Sequence, residues 1–350
     1  MRVLGVSAVT AAALLALAAP VLAADRADCL QGRDADQVVK GCSALIADGK
    51  AAGADLADIL DSRGAAYQYR GDTELALADF TKSLALKPDN AQALQDRGDV
   101  YSASHKADLA IADYSAAIKL KPDADGVYQA RGTAYLDAGQ YDLAIADFNK
   151  AIQADPNSPD AFATRGIAYS GKQQFDLALA DYSQAIKLDG TQGFLFDLRG
   201  SGYAAKGAFD LALPDYTKAI SLRPDNPQFY LNRANAYDAT RQYPLAIADY
   251  TKAVLMNPTN LDIYAGRGSD YLKTSQWDLA IGDFSQIIRL QPNTTPAYAS
   301  RGDAFAGKGD FARALDDYQA AAKLLPAGSP ALADAQAKIA DLQKKAAAPK

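Results

Sequence analysis

Few residues in this sequence combine the side chains and the spacing that catalysis requires. The 350 residues include one histidine, His105, and two cysteines, Cys29 and Cys42, which leaves little for a catalytic triad, a zinc site or a haem site. The GxSxG, HExxH and phosphate-loop motifs are absent from the sequence. His105 lies in a polar turn and is better interpreted as a solvated side chain than as a base. The sequence therefore predicts no enzyme activity, no cofactor and no metal site.

The charge balance excludes a further class of partner. Lysine and arginine together number 36, aspartate and glutamate number 42, and the formal net charge is −6. Nucleic-acid binding depends on a basic surface that neutralises phosphates, so we expect no nucleic-acid partner. The hydrophobic share of 49% is enough for a packed core, which excludes global disorder.

The first 23 residues are typical of a secretory signal peptide. Arg2 supplies a positive charge, residues 3–19 are almost wholly apolar, and residues 21–23 present small side chains for cleavage. We expect cleavage after Ala23, a periplasmic or secreted location, and no membrane insertion of the mature chain. The apolar length would also permit an uncleaved membrane anchor, but the cleavage pattern favours the signal peptide.

Export changes the interpretation of the two cysteines. Cys29 and Cys42 are 13 residues apart in a chain that we expect in a compartment where disulfides persist. A bond between them would close a loop of about 15 residues and contribute about 3 kcal/mol in the chain-entropy treatment. The alternative is a pair of buried thiols. We predict the disulfide, within an N-terminal capping segment at residues 24–56.

A 34-residue period organises most of the remaining sequence. An arginine recurs once per period, at Arg63, Arg97, Arg131, Arg165, Arg199, Arg233, Arg267 and Arg301. Sixteen residues after each arginine comes an aspartate, at Asp79, Asp113, Asp147, Asp181, Asp215, Asp249, Asp283 and Asp317. An aromatic residue follows every one of these aspartates, and proline ends seven of the eight periods. We therefore assign eight repeats to residues 57–328.

Each repeat has the apolar spacing of two helices. In the third repeat, one apolar stripe includes Tyr128 and Tyr135, and a second runs through residues 143–152. Gly139 marks a turn between the two stripes, and Pro156 ends the second helix. A hairpin of two such helices leaves one face apolar, so each repeat must stack on a neighbour to bury that face.

These repeats resemble the tetratricopeptide repeat family. Its signature has a large residue, then glycine, tyrosine, alanine, an aromatic residue and a second alanine at fixed offsets. The fourth repeat matches it with Phe162, Gly166, Tyr169, Ala178, Tyr182 and Ala185. The family often has leucine before the glycine, whereas this sequence always has arginine. The resemblance implies an all-α, right-handed superhelical solenoid of eight helix-turn-helix repeats whose first helices line a concave groove, and it implies no reaction.

The recurring arginine and aspartate are predicted to pair. Arg63 and Asp79 lie equally far from the turn at Gly71, and Arg131 and Asp147 have the same arrangement about their own turn. Antiparallel packing therefore places the two charges level with each other, and pairing lowers the cost of burying them. The alternative is a row of arginines that binds an anionic ligand. The equally regular aspartates favour the structural ion pair.

The segments that flank the repeats are predicted to cap them. Residues 24–56 have the apolar spacing of a single second helix, and residues 329–350 have that of an amphipathic terminal helix with a short tail. Caps of this kind are needed because an end repeat would otherwise expose its apolar face.

Variable positions on the first helices are candidates for partner binding. The first two repeats place acidic and amide side chains there, at Asp58, Asp61, Gln95, Asp96 and Asp99. We call this set the acidic patch, and its charge suits a basic peptide. The alternative is an ordinary solvated face of an acidic protein.

The middle of the array carries apolar residues at comparable positions. This apolar patch consists of Ile167, Phe194, Leu198 and Leu231. Exposed apolar patches tend to mark partner sites. The alternative is that the fourth and fifth repeats pack differently, because residues 189–193 replace the usual proline turn and Pro214 lies early in a second helix.

Polar residues of the sixth repeat form a third candidate set, at Asn232, Asn235 and Asp238. Asparagines in such grooves hold the backbone of an extended peptide in some family members, so we include these residues as peptide-binding candidates. The lysine and asparagine pattern with which other members clamp a C-terminal carboxylate is absent.

The function that the sequence favours is an exported, non-enzymatic scaffold of the bacterial cell envelope. It would bind protein or peptide segments along the concave groove, and self-association stays open. The alternative is a binder of one small molecule or glycan in the apolar patch. Charged substitutions at Phe194 and Leu198 should abolish the alternative activity and only weaken the scaffold.

Overall fold

The computed structural model describes residues 25–32, 34–123 and 125–347, and every regular element within these ranges is an α-helix. The predicted signal peptide, residues 1–23, lies outside the described residues. Among the helices of the described ranges, none is both long enough and apolar enough to cross a bilayer. The chain forms two compact units, Met1–Gln173 and Gln174–Lys350.

The first unit begins with two short capping helices and continues with paired helices. Its helices are α1 (25–31), α2 (Ala35–Asp48), α3 (Gly53–Arg70), α4 (Thr73–Leu86), α5 (Ala91–Ala103), α6 (Ala107–Leu120), α7 (Asp125–Asp137), α8 (Tyr141–Ala154) and α9 (Pro159–Gly171). The pairs α3–α4, α5–α6 and α7–α8 pack as the hairpins of the first three repeats, and each hairpin packs on the next helix along the chain.

The second unit repeats the same arrangement. Its helices are α10 (Phe175–Leu188), α11 (Gly193–Ala205), α12 (Phe209–Leu222), α13 (Pro227–Ala239), α14 (Tyr243–Met256), α15 (Leu261–Lys273), α16 (Trp277–Leu290), α17 (Thr295–Gly307), α18 (Phe311–Leu324) and α19 (Pro330–Ala347). Four hairpins follow α10, from α11–α12 to α17–α18. Helix α12 continues through Pro214. The predicted all-α architecture of helix-turn-helix repeats is confirmed.

A left-handed residue lies in the turn of every repeat. Its φ angle is between 56° and 85° at Gly71, His105, Gly139, Gln173, Gly207, Arg241, Ser275 and Gly309. Four of these residues are glycines, which adopt this conformation without the steric cost that a Cβ atom brings. His105 is one of the other four and is exposed to solvent.

A glycine follows seven of the eight repeated arginines, with Ala234 in the sixth repeat, and it allows the two helices of a hairpin to approach closely. In the third repeat, a methyl group on Gly132 would lie 2.8 Å from a ring carbon of Phe148. Phe148 itself is fully buried. The signature glycine and the signature aromatic residue are therefore two halves of one packing contact, which explains why both recur with the same period.

Both ends of the chain bury apolar side chains against the neighbouring repeat. A disulfide joins Cys29 of α1 to Cys42 of α2, and both cysteines pack in a cluster with Ile59 of α3. At the other end, Leu342 of α19 packs in a cluster with Tyr318 of α18. The described residues of the N-terminal segment differ from the prediction of one helix, because they include α1, α2 and the first turn of α3, which begins at Gly53.

Candidate binding faces

The arginine and aspartate of each hairpin form a two-point ion pair. In the first repeat, Arg63 Nε lies 2.7 Å from Asp79 Oδ2, and Arg63 Nη2 lies 2.9 Å from Asp79 Oδ1. The third repeat has the same geometry between Arg131 and Asp147, at 2.7 and 2.8 Å. The remaining terminal nitrogen of Arg131 donates to Ser115 Oγ in the preceding repeat, at 3.0 Å. The arginines thus connect the two helices of a repeat and also connect one repeat to the next.

These arginines are also shielded from ligands. The Arg131 guanidinium carbon lies 5.8 and 5.6 Å from the ring centres of Tyr128 and Tyr135, and only 17% of its side chain is exposed. Because its nitrogens already donate to Asp147 and Ser115, Arg131 has little capacity left for an anionic ligand. The geometry therefore favours the structural interpretation of the repeated arginine.

The candidate residues lie on the first helix of each repeat, on the side that we call the first-helix face. In the first unit this face belongs to α3, α5, α7 and α9, and in the second unit to α11, α13, α15 and α17. Each face carries the side chains one or two residues before the repeated arginine and two residues after it.

Three carboxylates of the acidic patch are partly buried and interact with one another. Burial raises the pKa of Asp96 to about 6, and the negative charges of Asp99 and Asp61 also raise it. Burial also raises the pKa of Asp61 and of Asp99. The structure therefore brings these three residues together, while Asp58 is exposed and Gln95 is half-buried.

Neutral donors hold these three carboxylates. Asn90 Nδ2 donates to Asp61 at 2.5 Å, and Gln92 Nε2 donates to Asp96 at 2.8 Å. The hydroxyl of Tyr114 donates to Asp99 at 2.7 Å.

The other members of the acidic patch differ from this trio. Asp58 lies on the same helix as Asp61 and forms an exposed ion pair with Lys87 Nζ at 3.3 Å. The second oxygen of Asp61, Oδ1, is buried without a hydrogen-bond partner among the described residues. The patch thus contains carboxylates that have lost water and accept hydrogen bonds from neutral donors, with the charge of Lys87 acting on Asp61. A cation from outside would stabilise this arrangement.

A cavity of about 500 Å³ adjoins the acidic patch in the first unit. Asp99 and Tyr114 line one side, and Gln129 and Thr133 of α7 line the other. Gln129 and Thr133 are not among the binding residues predicted from the sequence. A signal for them existed, because they occupy the third-repeat positions that correspond to Gln95 and Asp99.

The apolar patch is smaller than predicted. Leu231 is only 7% exposed and packs in the core with Tyr250 and Ile263, so the prediction that it contacts a partner is wrong. Although it occupies a position of the first-helix face, Leu231 packs against Tyr250 of α14 and Ile263 of α15, and stacking of the repeats buries it. Phe194 is 41% exposed, whereas Leu198 is half-buried on α11 and Ile167 is half-buried on α9 of the first unit.

One carboxylate accompanies the apolar side chains of the second unit. Asp197 lies between Phe194 and Leu198 on the same side of α11, and the sequence analysis did not select it. Asn232 Nδ2 donates to Asp197 at 2.8 Å, and Gln228 Nε2 donates to Asn232 at 2.8 Å. Burial raises the pKa of Asp197 to about 6. This side of α11 therefore combines exposed apolar surface with a partly buried carboxylate.

The polar residues of the sixth repeat have internal partners. Besides the contact of Asn232 with Asp197, the carbonyl of Asn235 accepts a hydrogen bond from Tyr250 at 2.6 Å. Asp238 forms an ion pair with Lys273. Asn232 and Asp238, predicted to hold a peptide backbone, thus connect neighbouring repeats, and Asn235 connects the two helices of its own repeat.

A second cavity, of about 290 Å³, lies between α15 and α17 of the second unit. Leu272, Phe284 and Ile287 give it an apolar wall, and Ser269 and Ser300 contribute hydroxyl groups. The sequence analysis did not identify this site. Among the described residues, no group of three or more histidine, cysteine, aspartate or glutamate side chains is arranged to hold a metal ion.

Comparison with protein families explains this arrangement. A tetratricopeptide repeat model matches residues 62–125 and 266–329. A TPR repeat model matches 132–173 and 200–240, and a further tetratricopeptide repeat model matches 159–192 and 227–260. The chain belongs to the tetratricopeptide repeat family. Its arginine and aspartate pairs, close glycine contacts and left-handed turns are the framework of these repeats.

Solved structures show the same tetratricopeptide repeat fold. A tetratricopeptide repeat protein from Parabacteroides merdae ATCC 43184 is 19% identical, with a TM-score of 0.57 over 71% of this chain and 98% of that chain. The APC/C hetero-tetramer Cut9–Hcn1 is 18% identical, with a TM-score of 0.53 over 89% of this chain and 60% of that chain. No curated protein matches this chain. Tetratricopeptide repeat proteins are generally non-enzymatic scaffolds for protein or peptide partners.

Proposed function

We propose that this tetratricopeptide repeat chain is an exported, non-enzymatic scaffold that binds a basic segment of a partner protein at the acidic patch of its first unit. The observation that carries the proposal is the state of Asp61, Asp96 and Asp99. These three carboxylates lie together, are partly buried, and accept hydrogen bonds from neutral donors. A lysine or arginine side chain of a partner would supply the missing positive charge.

The cavity next to the patch supports an extended partner rather than an isolated ion. Gln129 and Thr133 line it opposite Asp99, so a segment that pairs with the carboxylates can continue over polar groups able to accept and donate hydrogen bonds. The regular spacing of the repeats offers equivalent positions along the face. This geometry suits a peptide better than a compact small molecule.

The proposed location rests on the two cysteines and on the first residues of the sequence. The Cys29–Cys42 disulfide is typical of oxidising compartments such as the periplasm. The apolar run at residues 3–19 and the small residues at 21–23 are typical of a cleaved signal peptide. Both features support a scaffold of the bacterial cell envelope.

The alternative is a binder of a small molecule or glycan in the apolar patch. Phe194 is exposed beside Asp197, and this observation favours such a site. The burial of Leu231 removes one of its four predicted residues. We therefore retain the scaffold as the proposed function.

A defined probe tests the acidic patch directly. Fluorescence anisotropy would measure the binding of a labelled eight-residue lysine peptide to the mature chain and to a D61N/D96N/D99N variant. The variant should bind at least about tenfold more weakly, because each lost ion pair in a partly buried site costs about 1 kcal/mol or more. Binding by the mature chain should also weaken as salt is raised.

A matched control separates the patch from overall charge. The D89N/D108N/D123N variant removes three exposed carboxylates of the same unit and changes the net charge equally. It should bind the lysine peptide like the mature chain. Equal loss in both triple variants would show that binding depends on net charge alone, and the proposal would then be abandoned.

A further inference from the structure

Asp270 stands at a core position where the other repeats have small apolar residues. Three residues after the repeated arginine, the other seven repeats carry Ala66, Val100, Ala134, Ala168, Gly202, Ala236 and Ala304. Asp270 is 0% exposed, so its carboxyl group lies inside the second unit. The scaffold does not require a carboxyl group at this position, since seven repeats fold without one.

The contacts of Asp270 are incomplete. Lys273 Nζ lies 3.1 Å from Asp270 Oδ1 and also forms an ion pair with Asp238 of α13. The other oxygen, Asp270 Oδ2, is buried and has no hydrogen-bond partner among the described residues. One lysine therefore serves two carboxyl groups, and one buried oxygen is left without a donor.

A single proton on Asp270 would remove the excess negative charge and would also give its unpaired oxygen a hydrogen bond. With all three groups ionised, Asp238, Asp270 and Lys273 carry one excess negative charge at a partly buried site, which is unfavourable. When Asp270 is protonated, the net charge is zero and its carboxyl group gains a hydrogen to donate to Asp238. Burial raises the pKa of Asp270 to about 7, and the contact with Asp238 raises it further than Lys273 lowers it.

The other ionisable groups packed around α15 are either neutral or paired with a partner outside the site. On α14, the hydroxyl of Tyr250 donates to Asn235. Burial raises the pKa of Tyr250, and the negative charges of Asp270 and Asp238 raise it further, so this phenol stays neutral beside the site. The ring of Tyr243 lies 5.1 Å from Lys273 Nζ. On α16, Asp283 is paired with Arg267.

The acidic residue that the next repeat contributes is also paired. On α17, Asp303 is paired with Lys338 of α19. The charged groups that act on Asp270 most directly are therefore Asp238 from α13 and Lys273 from its own helix.

We propose that Asp238, Asp270 and Lys273 form a proton-binding site that links α13 to α15. With the proton bound, the carboxyl pair and the lysine join the sixth and seventh repeats. When the proton leaves, the excess negative charge loosens this link. Asp238 and Lys273 are each about one-third exposed, at 33% and 36% of their side chains. Protonation or deprotonation of Asp270 therefore also changes the charge of the first-helix face.

The direction of the pH effect follows from proton linkage. An Asp side chain in the unfolded chain has a pKa near 3.8, whereas in the folded chain that of Asp270 is raised. Between these two values the folded state holds a proton that the unfolded state has released. The contribution of this site to stability therefore falls as pH rises from about 4 to about 7, and it is constant above that range.

Hydrogen exchange tests the proposal in the intact chain. After correction for intrinsic exchange rates, the opening constant of α13 and α15 should rise by about tenfold or more between pH 5 and pH 8. In D270A, which introduces the residue of most other repeats, and in D270N, which is permanently neutral, this rise should be absent. An exposed acid on the same helix provides the control, and D262N should behave like the unaltered chain.

Two outcomes would overturn the proton-binding site. One is the same pH dependence of exchange in D270N and in the unaltered chain. The other is a D270A variant that folds but opens more readily than the unaltered chain at pH 8, which would show that the ionised carboxyl group stabilises the link. Neither outcome depends on whether the acidic patch binds a partner.

Discussion

The acidic patch of the first unit and the Asp270 site of the second unit both contain carboxyl groups that are shielded from water, but different partners stabilise these groups. Both place partly or fully buried carboxyl groups on or beneath the first-helix face. In the first unit, Asp96 and Asp99 accept hydrogen bonds from the neutral donors Gln92 and Tyr114. In the second unit, Lys273 supplies a positive charge from within the chain. In one scaffold, an aspartate can therefore serve as a binding group where its donors are neutral, or as a structural group where the chain supplies a cation.

The cause of the difference is the residue type at variable positions. The framework of ion pair, close glycine and turn is the same in both units. In the second unit, Lys273 pairs with an aspartate of the preceding repeat, whereas Ala103 occupies the corresponding position of the second repeat. An internal cation makes a carboxylate part of the structure, and its absence at that position leaves the carboxylate for solvent or for a partner.

The largest effect is expected where the shared framework itself is broken. R131A should lower the free energy of unfolding by about 3 kcal/mol, because it leaves Asp147, which is 8% exposed, as an uncompensated charge. Urea unfolding would measure the loss. The double variant R131M/D147L removes both charges and should recover most of it. A loss below about 1 kcal/mol in R131A would mean that these ion pairs contribute little to either unit.

A smaller effect is expected when the internal cation of the second unit is removed. K273M should cost about 2 kcal/mol at pH 8, since it leaves Asp238 and the buried Asp270 without a positive partner. The loss should be smaller at pH 5, where Asp270 holds a proton. The matched change in the first unit is K87M, which removes an exposed ion pair with Asp58 and should cost about 0.5 kcal/mol or less. Equal losses in the two variants would remove the contrast between the regions.

The smallest expected effect has the opposite sign and concerns the acidic patch. D96N keeps an oxygen that accepts from Gln92 and should raise the free energy of unfolding by about 1 kcal/mol at pH 7, a value reduced for the partial solvation of the site. Burial raises the pKa of Asp96 to about 6, so the penalty that D96N removes develops between about pH 4 and pH 6. Thermal unfolding at pH 4 should therefore show no gain. A destabilised variant at pH 7 would indicate that the ionised carboxylate is structural.

The sequence predicted the elements of the fold well because their causes are local. A helix needs the correct apolar spacing, a turn needs a residue near Gly139, and a buried arginine needs a level acidic partner. Each of these requirements recurs every 34 residues and can be read from eight copies. For the same reason the acidic patch could be selected, since no other repeat has an acidic residue at the position of Asp96, and only the eighth repeat, with Asp303, has one at the position of Asp99.

Tertiary structure alone decided which of the variable residues face solvent. Leu198 and Leu231 look alike in the sequence, but α14 and α15 cover Leu231 and leave Leu198 half-buried. The sequence shows that Asp270 replaces a small residue, yet only the positions of Lys273 and Asp238 show that one of its oxygens has no donor. Burial and charge pairing depend on distances between side chains that lie in different repeats. The period of the sequence determines the repeated framework of helices, turns and ion pairs. The packing of neighbouring repeats determines the burial and the charge pairing of each carboxyl group within that framework.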